Sequence, residues 1–338
     1  MLYVGGWLGW NNLGDKTLYE ADKSLFTKLN IIHYPNHCGR FLSYPNKILK
    51  PVQAGILAGG TLINSGGAFL QSFRECREFV ERMYVFGTGV KQPYFWNNIK
   101  NYKSDINSEV SILKNCKYIG VRGPLSKEVL NEHGLHSEVI GDPVIFLSLD
   151  KKPVKTKEKI LGINAGVSGQ VWGNSVDNIA DQFYKLAKLA ITNKWTVKWF
   201  VVWPEDLGIV KKIAYSLQDN PEIICEYNNY HNYLNEVKDV SVFVGMKLHA
   251  VVLAMCAYVP SVAIEYRPKC LDFMLSVNRG EYNIRADKFY AEDAWIKVKN
   301  IYENCEQETE EVFISMNKIK QKQRQKADDI EKEILRLK

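Results

Sequence analysis

The chain has 338 residues, 46% hydrophobic and 24% charged, a balance that excludes disordered and fibrous classes. That length exceeds what one hydrophobic core organises, so two domains are expected. A formal net charge of +6 suits anionic ligands or an anionic membrane surface, whereas nucleic-acid binding calls for a denser basic stripe or a known motif, and neither is present.

In chain order, Leu2-Tyr3-Val4 reads as a first strand running into Gly5-Gly6, and Leu18 to Leu29 has helical period. Further strand-like runs are Ile31 to Tyr34, Gly55 to Ala58, Met83 to Phe86 and Tyr118 to Val121, with a helical pattern over Phe69 to Arg82. Strands alternating with helices predict a parallel, doubly wound sheet. Asp150 to Lys159 is a proline-containing charge run without an apolar face and reads as an exposed linker. The alternation then restarts with Ile160 to Ile163, Val197 to Val202, Ile223 to Cys225, Val242 to Val244 and Val262 to Ile264. The expected architecture is α/β, two Rossmann-like doubly wound domains facing across a cleft. Residues 1–150 form the N-terminal domain, 151–289 the C-terminal domain and 290–338 a helical segment. In that last segment Val312, Phe313, Met316 and Ile319 make one apolar face, and a very polar stretch follows before Ile330, Ile334 and Leu337. Such a helix either packs back over the body or extends as a charged tail able to touch lipid.

Seven scattered cysteines without a Cys-x-x-Cys pair are the usage of a reducing compartment, with no disulfide scaffold or zinc site. Residues 1–10 are too short and glycine-broken for a signal peptide, and no apolar run approaches a membrane span. The expected location is cytoplasmic or peripheral to the inner face of a membrane.

The most informative stretch is Val242 to Ala250. Gly245 ends a strand, and Lys247 and His249 follow at once, before the apolar run Val251 to Tyr258. In an open α/β sheet, ligands bind beyond the carboxyl ends of strands, where a new helix offers unpaired N–H groups to anions. Lysine and histidine there supply a positive charge and a proton-transfer group, although a hydrogen-bonded core histidine beside a surface lysine fits the same pattern. Asp15, in Gly14-Asp15, lies where the first strand hands over to its helix and serves equally well as an N-cap. Gly59-Gly60-Thr61 and Gly87-Thr88-Gly89 end strands with small residues that let backbone approach a ligand closely. Arg122 follows another strand and precedes a helix that Pro124 would start; it can grip a carboxylate or phosphate bidentately, or pair with a neighbouring helix. Lys269 follows the strand after His249. No dinucleotide fingerprint or phosphate-loop lysine signature is present, which disfavours generic NAD or ATP binding.

Together with Gly141-Asp142-Pro143, these motifs occur in an order and spacing that resembles the polysaccharide pyruvyl transferase family, from Trp7 to about Phe273. The resemblance implies a glycosyltransferase-B-like fold with acceptor and donor sides in the N- and C-terminal domains. It also implies transfer of pyruvate from phosphoenolpyruvate to two hydroxyls of a sugar as a cyclic ketal, in cell-envelope or capsular polysaccharide biosynthesis. The acceptor would be a glycan or a lipid-linked saccharide. Phosphoenolpyruvate is the co-substrate, and no further cofactor, metal or nucleic acid is implied. Residues matching Arg122, His249 and Lys269 serve the donor, with Gly59 and Gly60 near it, and the match to Asp15 is also important. The family commonly has arginine where Lys247 stands; lysine keeps the charge and loses the planar fork.

The chemistry suits these residues. A phosphate and a carboxylate call for several cations, with Arg122, Lys247 and Lys269 as candidates. Ketal formation needs protonation of the methylene carbon while a hydroxyl attacks its neighbour, which makes His249 the candidate general acid and then base, with Asp15 orienting or deprotonating the acceptor. The competing readings are a glycosyltransferase with a nucleotide-sugar donor, since the same fold hosts both, and a non-catalytic glycan-binding member of the family.

Overall fold

The computed structural model describes residues 1–6, 11–34, 52–64, 67–97, 106–153, 158–166, 168–174 and 176–336. The chain divides into two compact units, one of Met1–Trp7, Leu18–Phe146 and Ile319–Lys338, the other of Leu8–Thr17 and Leu147–Lys318.

The strands of the first unit are β1 (Leu2–Val4), β2 (Ile32–His33), β3 (Ala54–Leu57), β4 (Gly60–Ile63), β5 (Arg82–Val90), β6 (Tyr118–Val121) and β7 (Glu138–Val139). They form a parallel sheet in the order β2-β1-β3-β5-β6-β7, with β4 added to β5. Its helices are α1 (Leu13–Leu25, from Leu18 onward), α2 (Ala68–Cys76), α3 (Pro93–Trp96), α4 (Ile106–Leu113) and α5 (Pro124–Glu132).

Alternate side chains along each strand point to opposite faces, so each strand feeds two cores. Leu2, Val4, Leu57, Val85 and Val121 pack with Phe69, Phe73, Val110 and Leu130 of α2, α4 and α5. Tyr3, Ile56, Tyr84 and Phe86 pack on the other side with Leu25, Phe26, Ala327, Ile330 and Ile334. The second face thus needs residues beyond position 319 to be covered. The polar C-terminal stretch therefore packs as a helix with a buried stripe. Gln323, fully buried, donates to the carbonyls of Ile140 (3.0 Å) and Asp142 (2.8 Å), and Glu331 accepts from the Lys28 amide at 2.7 Å. Lys322 pairs with Glu138 at 2.9 Å and Arg324 with Asp328 at 2.8 Å, so cations that read as a lipid-facing tail have partners within the unit. Leu337 lies outside the described residues.

The second unit contains β8 (Ile160–Asn164), β9 (Thr196–Val201), β10 (Glu222–Cys225), β11 (Val242–Gly245), β12 (Ser261–Glu265) and β13 (Asn283–Arg285). They are parallel in the order β10-β9-β8-β11-β12-β13. Its helices are α6 (Val176–Thr192), α7 (Leu207–Tyr215), α8 (Tyr230–Val237), α9 (Leu248–Cys256), α10 (Lys269–Ser276), α11 (Ala291–Glu303) and the part of α12 (Cys305–Leu335) up to Lys318. This is the Rossmann strand order, whose direction reverses between β8 and β11. The central strands β8, β11 and β12 are buried along their whole length, as a sheet covered on both faces requires.

Element bounds differ from the sequence reading in places. The first helix starts at Leu13 rather than Leu18, and the second ends at Cys76 rather than Arg82, where amides of Arg77 and Glu78 bond three residues back and turn the chain into β5. β4, β7 and β13 are strands that the sequence reading did not include; β4 opens on Gly60-Thr61, which read as the turn after β3. Of the charged linker, residues 150–153 and 158–159 are described and mostly exposed, and 154–157 lie outside the described residues. Six described cysteines are free, and Cys38 is outside the described set. No helix among the described residues is long and apolar enough to cross a membrane.

Candidate functional site

The reversal between β8 and β11 falls at Asn164, the last residue of β8. Its carbonyl accepts from the Met246 amide at 2.9 Å, its side-chain oxygen accepts from the Lys247 amide at 2.8 Å, and its side-chain nitrogen donates to the Phe200 carbonyl at 2.9 Å. One fully buried asparagine thus ties β8 and β9 to the start of α9. Lys247 occupies the N-cap of that helix in extended conformation, which makes His249 its second residue.

Residues 8–17 belong to this unit and bring the start of α1 to the same place. The Leu13 amide donates to the Val202 carbonyl at 3.2 Å, just past β9. The Asn12 side-chain oxygen accepts from the amides of Gly14 (3.0 Å) and Asp15 (3.4 Å). The helix cap is therefore Asn12, and the Asp15 carboxylate is not what satisfies the first amides. Gly14 has a steric reason to be glycine: a Cβ there would stand 2.0 Å from Nδ1 of His249 and 2.9 Å from its Cβ. The imidazole rests against the first turn of α1, one residue from Asp15.

Lys247 is nine-tenths buried. Its ammonium lies 3.3 Å from Oδ1 of the fully buried Asp206, 4.5 Å from the centre of the Trp203 ring and 5.9 Å from that of Tyr266. Lys269, the first residue of α10, sets its ammonium 4.9 Å from the same Tyr266 ring. Two cations over one ring are a cation–π arrangement. Burial pushes the Tyr266 phenol up to about 12, with Cys270 adding to the shift and Lys247 and Arg267 opposing it. At the end of β12, Glu265 accepts from Trp172 Nε1 at 2.8 Å and Asn283 Nδ2 at 2.6 Å; burial raises its pKa.

Arg122, Gly59 and Gly60 belong to the first unit. Arg122 is buried, and its Nη1 donates to the Gly60 carbonyl at 3.2 Å and the Thr61 hydroxyl at 3.3 Å. Pro124 opens α5 as expected, and the Ser126 hydroxyl accepts from the Val90 amide at 2.9 Å. Gly60 has φ +113°, open to glycine alone at low cost, and a Cβ on Gly59 would stand 2.3 Å from Leu18 and 3.1 Å from Pro143. Both glycines answer to local packing. Beside them Asp22, fully buried, has its carboxyl pKa raised well above the usual range by burial and by Asp142, while the Tyr3 hydroxyl and Gly59 amide pull it back.

The structure thus brings Asp15, Lys247, His249 and Lys269 into the second unit and Arg122 with the two glycines into the first. Asn12, Asn164, Trp203, Asp206 and Tyr266 had no role in the sequence reading. Their one signal is position: apart from Asn12 at the start of α1, all stand at or just past the end of an apolar strand run, where α/β sheets build sites. Among the described residues no group of three or more His, Cys, Asp or Glu is arranged to hold a metal.

Solved structures similar to most of the chain are glycosyltransferases of the two-domain B fold. S. aureus TarM shares 17% identity at TM-score 0.53, over 86% of this chain and 56% of its own. The pneumococcal O-GlcNAc transferase GtfA, in complex with UDP and GlcNAc, shares 14% at TM-score 0.55, over 86% and 58%. A UDP-glucosyltransferase from Polygonum tinctorium shares 11% at TM-score 0.55, over 98% and 97%. The chain therefore spans a little over half the length of TarM and GtfA, and at these identities the likeness shows the fold, a glycosyltransferase-B-like pair of Rossmann-like domains. No curated protein matches the chain. The polysaccharide pyruvyl transferase family model matches residues 10–268, about three quarters of the sequence, and the chain belongs to that family.

Proposed function

We propose that the chain is a ketal pyruvyl transferase, moving pyruvate from phosphoenolpyruvate onto two hydroxyls of a glycan or lipid-linked saccharide in cell-envelope or capsular polysaccharide biosynthesis. The observation that carries this reading is the seating of His249 against Gly14 at the carboxyl end of β11, with Lys247 and Lys269 over Tyr266 in the same unit.

In this mechanism His249 donates a proton to the methylene carbon of phosphoenolpyruvate while one sugar hydroxyl attacks the adjacent carbon. The second hydroxyl then displaces phosphate, His249 taking its proton. Two hydroxyl protons are lost overall; one balances the new methyl group and the other leaves with phosphate. Lys269 binds the donor anion, the role that the family resemblance also gives Arg122, and Asp15, next in sequence to the glycine under the imidazole, orients or deprotonates the acceptor. Asn164 and Asn12 hold the two helix starts that place His249 and Asp15.

The test is to incubate the protein with phosphoenolpyruvate and a panel of glycan acceptors, following phosphate release and the mass of the acceptor. A gain equal to pyruvate less water supports the reading. Release of a nucleoside diphosphate from a nucleotide sugar, with no reaction from phosphoenolpyruvate, replaces it with sugar transfer.

A further inference from the structure

The loop after β8 is pinned on one side and open on the other. Its described residues are 165, 166 and 168–174. Arg267, just past β12, donates from Nε to the Gln170 carbonyl at 2.9 Å and from Nη2 to the Ser168 hydroxyl at 3.0 Å. Trp172 donates from its amide to the Tyr266 carbonyl at 3.2 Å and from Nε1 to Glu265 at 2.8 Å. The second Glu265 oxygen accepts from Asn283 on β13 at 2.6 Å, so this buried carboxylate has a bond at each oxygen. Arg285, at the end of β13, sets its guanidinium 4.0 Å from the centre of the Trp172 ring. At the start of the loop Gly166 runs against Lys247, and a Cβ there would lie 2.6 Å from Cε of that lysine. Between these holds Gly169 and Gln170 are exposed, and a Cβ on Gly169 would meet nothing within 4 Å. A segment fixed by side chains from two strand ends, with its tip in open space, presents backbone to a ligand rather than filling a core. β8 lies beside β11 at the reversal of strand order, where open α/β sheets take their ligands, so this loop and the start of α9 flank one crevice.

We propose that Arg267 and Trp172 are positioning residues for the donor site: they hold the loop after β8 in place before the donor arrives, so that its tip at Gly169 and Gln170 meets the donor without first having to be ordered. This rests on the reading of the donor as phosphoenolpyruvate bound in this unit. Loosening the loop makes donor binding carry the cost of ordering it. Affinity then falls, while the bound geometry, and with it the chemical step, stays as it was.

Trp172→Phe deletes the Nε1–H alone, and Arg267→Met deletes both of its bonds to the loop. The test is calorimetric titration of the full chain with phosphoenolpyruvate, beside steady-state phosphate release with a glycan acceptor. Each variant is expected to raise the dissociation constant and KM for phosphoenolpyruvate about three- to tenfold, with kcat within about twofold of the unaltered chain. A lower melting temperature with donor affinity within about twofold is the result of a merely structural role and overturns the proposal, as does a loss confined to kcat. A loss in Arg267→Met that Trp172→Phe does not share would mean that Arg267 grips the donor itself, and it too overturns the proposal. If Arg267→Met does not fold, Trp172→Phe decides alone. Should the unaltered chain bind UDP-glucose but not phosphoenolpyruvate, the donor reading falls and the same variants titrated with UDP-glucose decide the positioning. Binding of neither overturns both.

Discussion

Replacing Gly14 with alanine isolates the contact on which the catalytic reading turns. The added Cβ would stand 2.0 Å from Nδ1, 2.6 Å from Cγ and 2.9 Å from Cβ of His249. Rotating the imidazole relieves the first two contacts but not the third, since the His249 Cβ does not move with χ1. Non-bonded carbons settle at about 3.5–4.0 Å, so the start of α1 must part from α9 by roughly 1 Å. A misplacement of that size costs on the order of a hundredfold in rate, or about 2.7 kcal/mol of barrier. Fold stability should move far less, because alanine in a helix is favoured over glycine by up to about 1 kcal/mol and offsets part of the strain. The expected signature is therefore a kcat for phosphate release from phosphoenolpyruvate lowered about a hundredfold, with melting temperature and donor affinity close to those of the unaltered chain. Steady-state kinetics with a glycan acceptor, beside calorimetry with phosphoenolpyruvate alone, reads both. A Gly14→Ala protein that keeps kcat within about twofold would show that His249 does not need this seat, and the mechanism would lose its placement of the proton-transfer group.

Two further outcomes follow from buried polar groups. Asp22 has a raised pKa, so the native state keeps a proton that the unfolded chain has lost, and stability falls as pH rises from the ordinary carboxylate range toward the raised value. Asp22→Asn cannot ionise, so its advantage over the unaltered chain should widen between pH 5 and pH 8 in urea denaturation; a gap that stays constant would place the titration elsewhere. Asn164→Ala removes the partners of the Lys247 amide and the Phe200 carbonyl, each loss costing about 1–3 kcal/mol, so a loss of roughly 2–6 kcal/mol is expected in the same assay. A loss under about 0.5 kcal/mol would mean that other groups replace both bonds.

Both sheets were legible in the sequence because their central strands are covered on both faces and read as unbroken apolar runs such as Val242-Phe243-Val244. The helix start after Gly123 was legible too, because proline at the first helical position is a local signal. Membership of the two units was not. Residues 8–17 group with the second unit through bonds such as that from Leu13 to Val202, and residues from 319 group with the first because Ala327, Ile330 and Ile334 complete one of its cores. Such partners are distant in sequence and leave no periodicity. For the polar stretch after Lys320 the sequence left packing and extension both open, because its buried positions include glutamine and glutamate, whose burial is made tolerable by backbone partners in other elements.

The two halves of the family signature differ in what they demand. In the first unit the motif residues largely satisfy one another: Gly59 and Gly87 are small because Pro143 packs on them, Gly89 is small because Arg122 lies over it, and Arg122 bonds back to Gly60 and Thr61. A chain that had lost all chemistry would still need that set to fold, so its presence does not separate an enzyme from a non-catalytic glycan binder. The second unit answers differently. Folding does not single out a histidine for the place against Gly14, since an apolar side chain at position 249 would also pack there. Nor does it require a lysine and an aspartate in place of well-packed apolar residues, because a buried ion pair rarely outperforms them in stability. Gly14 with His249, and Asp206 with Lys247, are choices that packing leaves unexplained and that the proposed reaction would explain. They are what favours an enzyme over a scaffold.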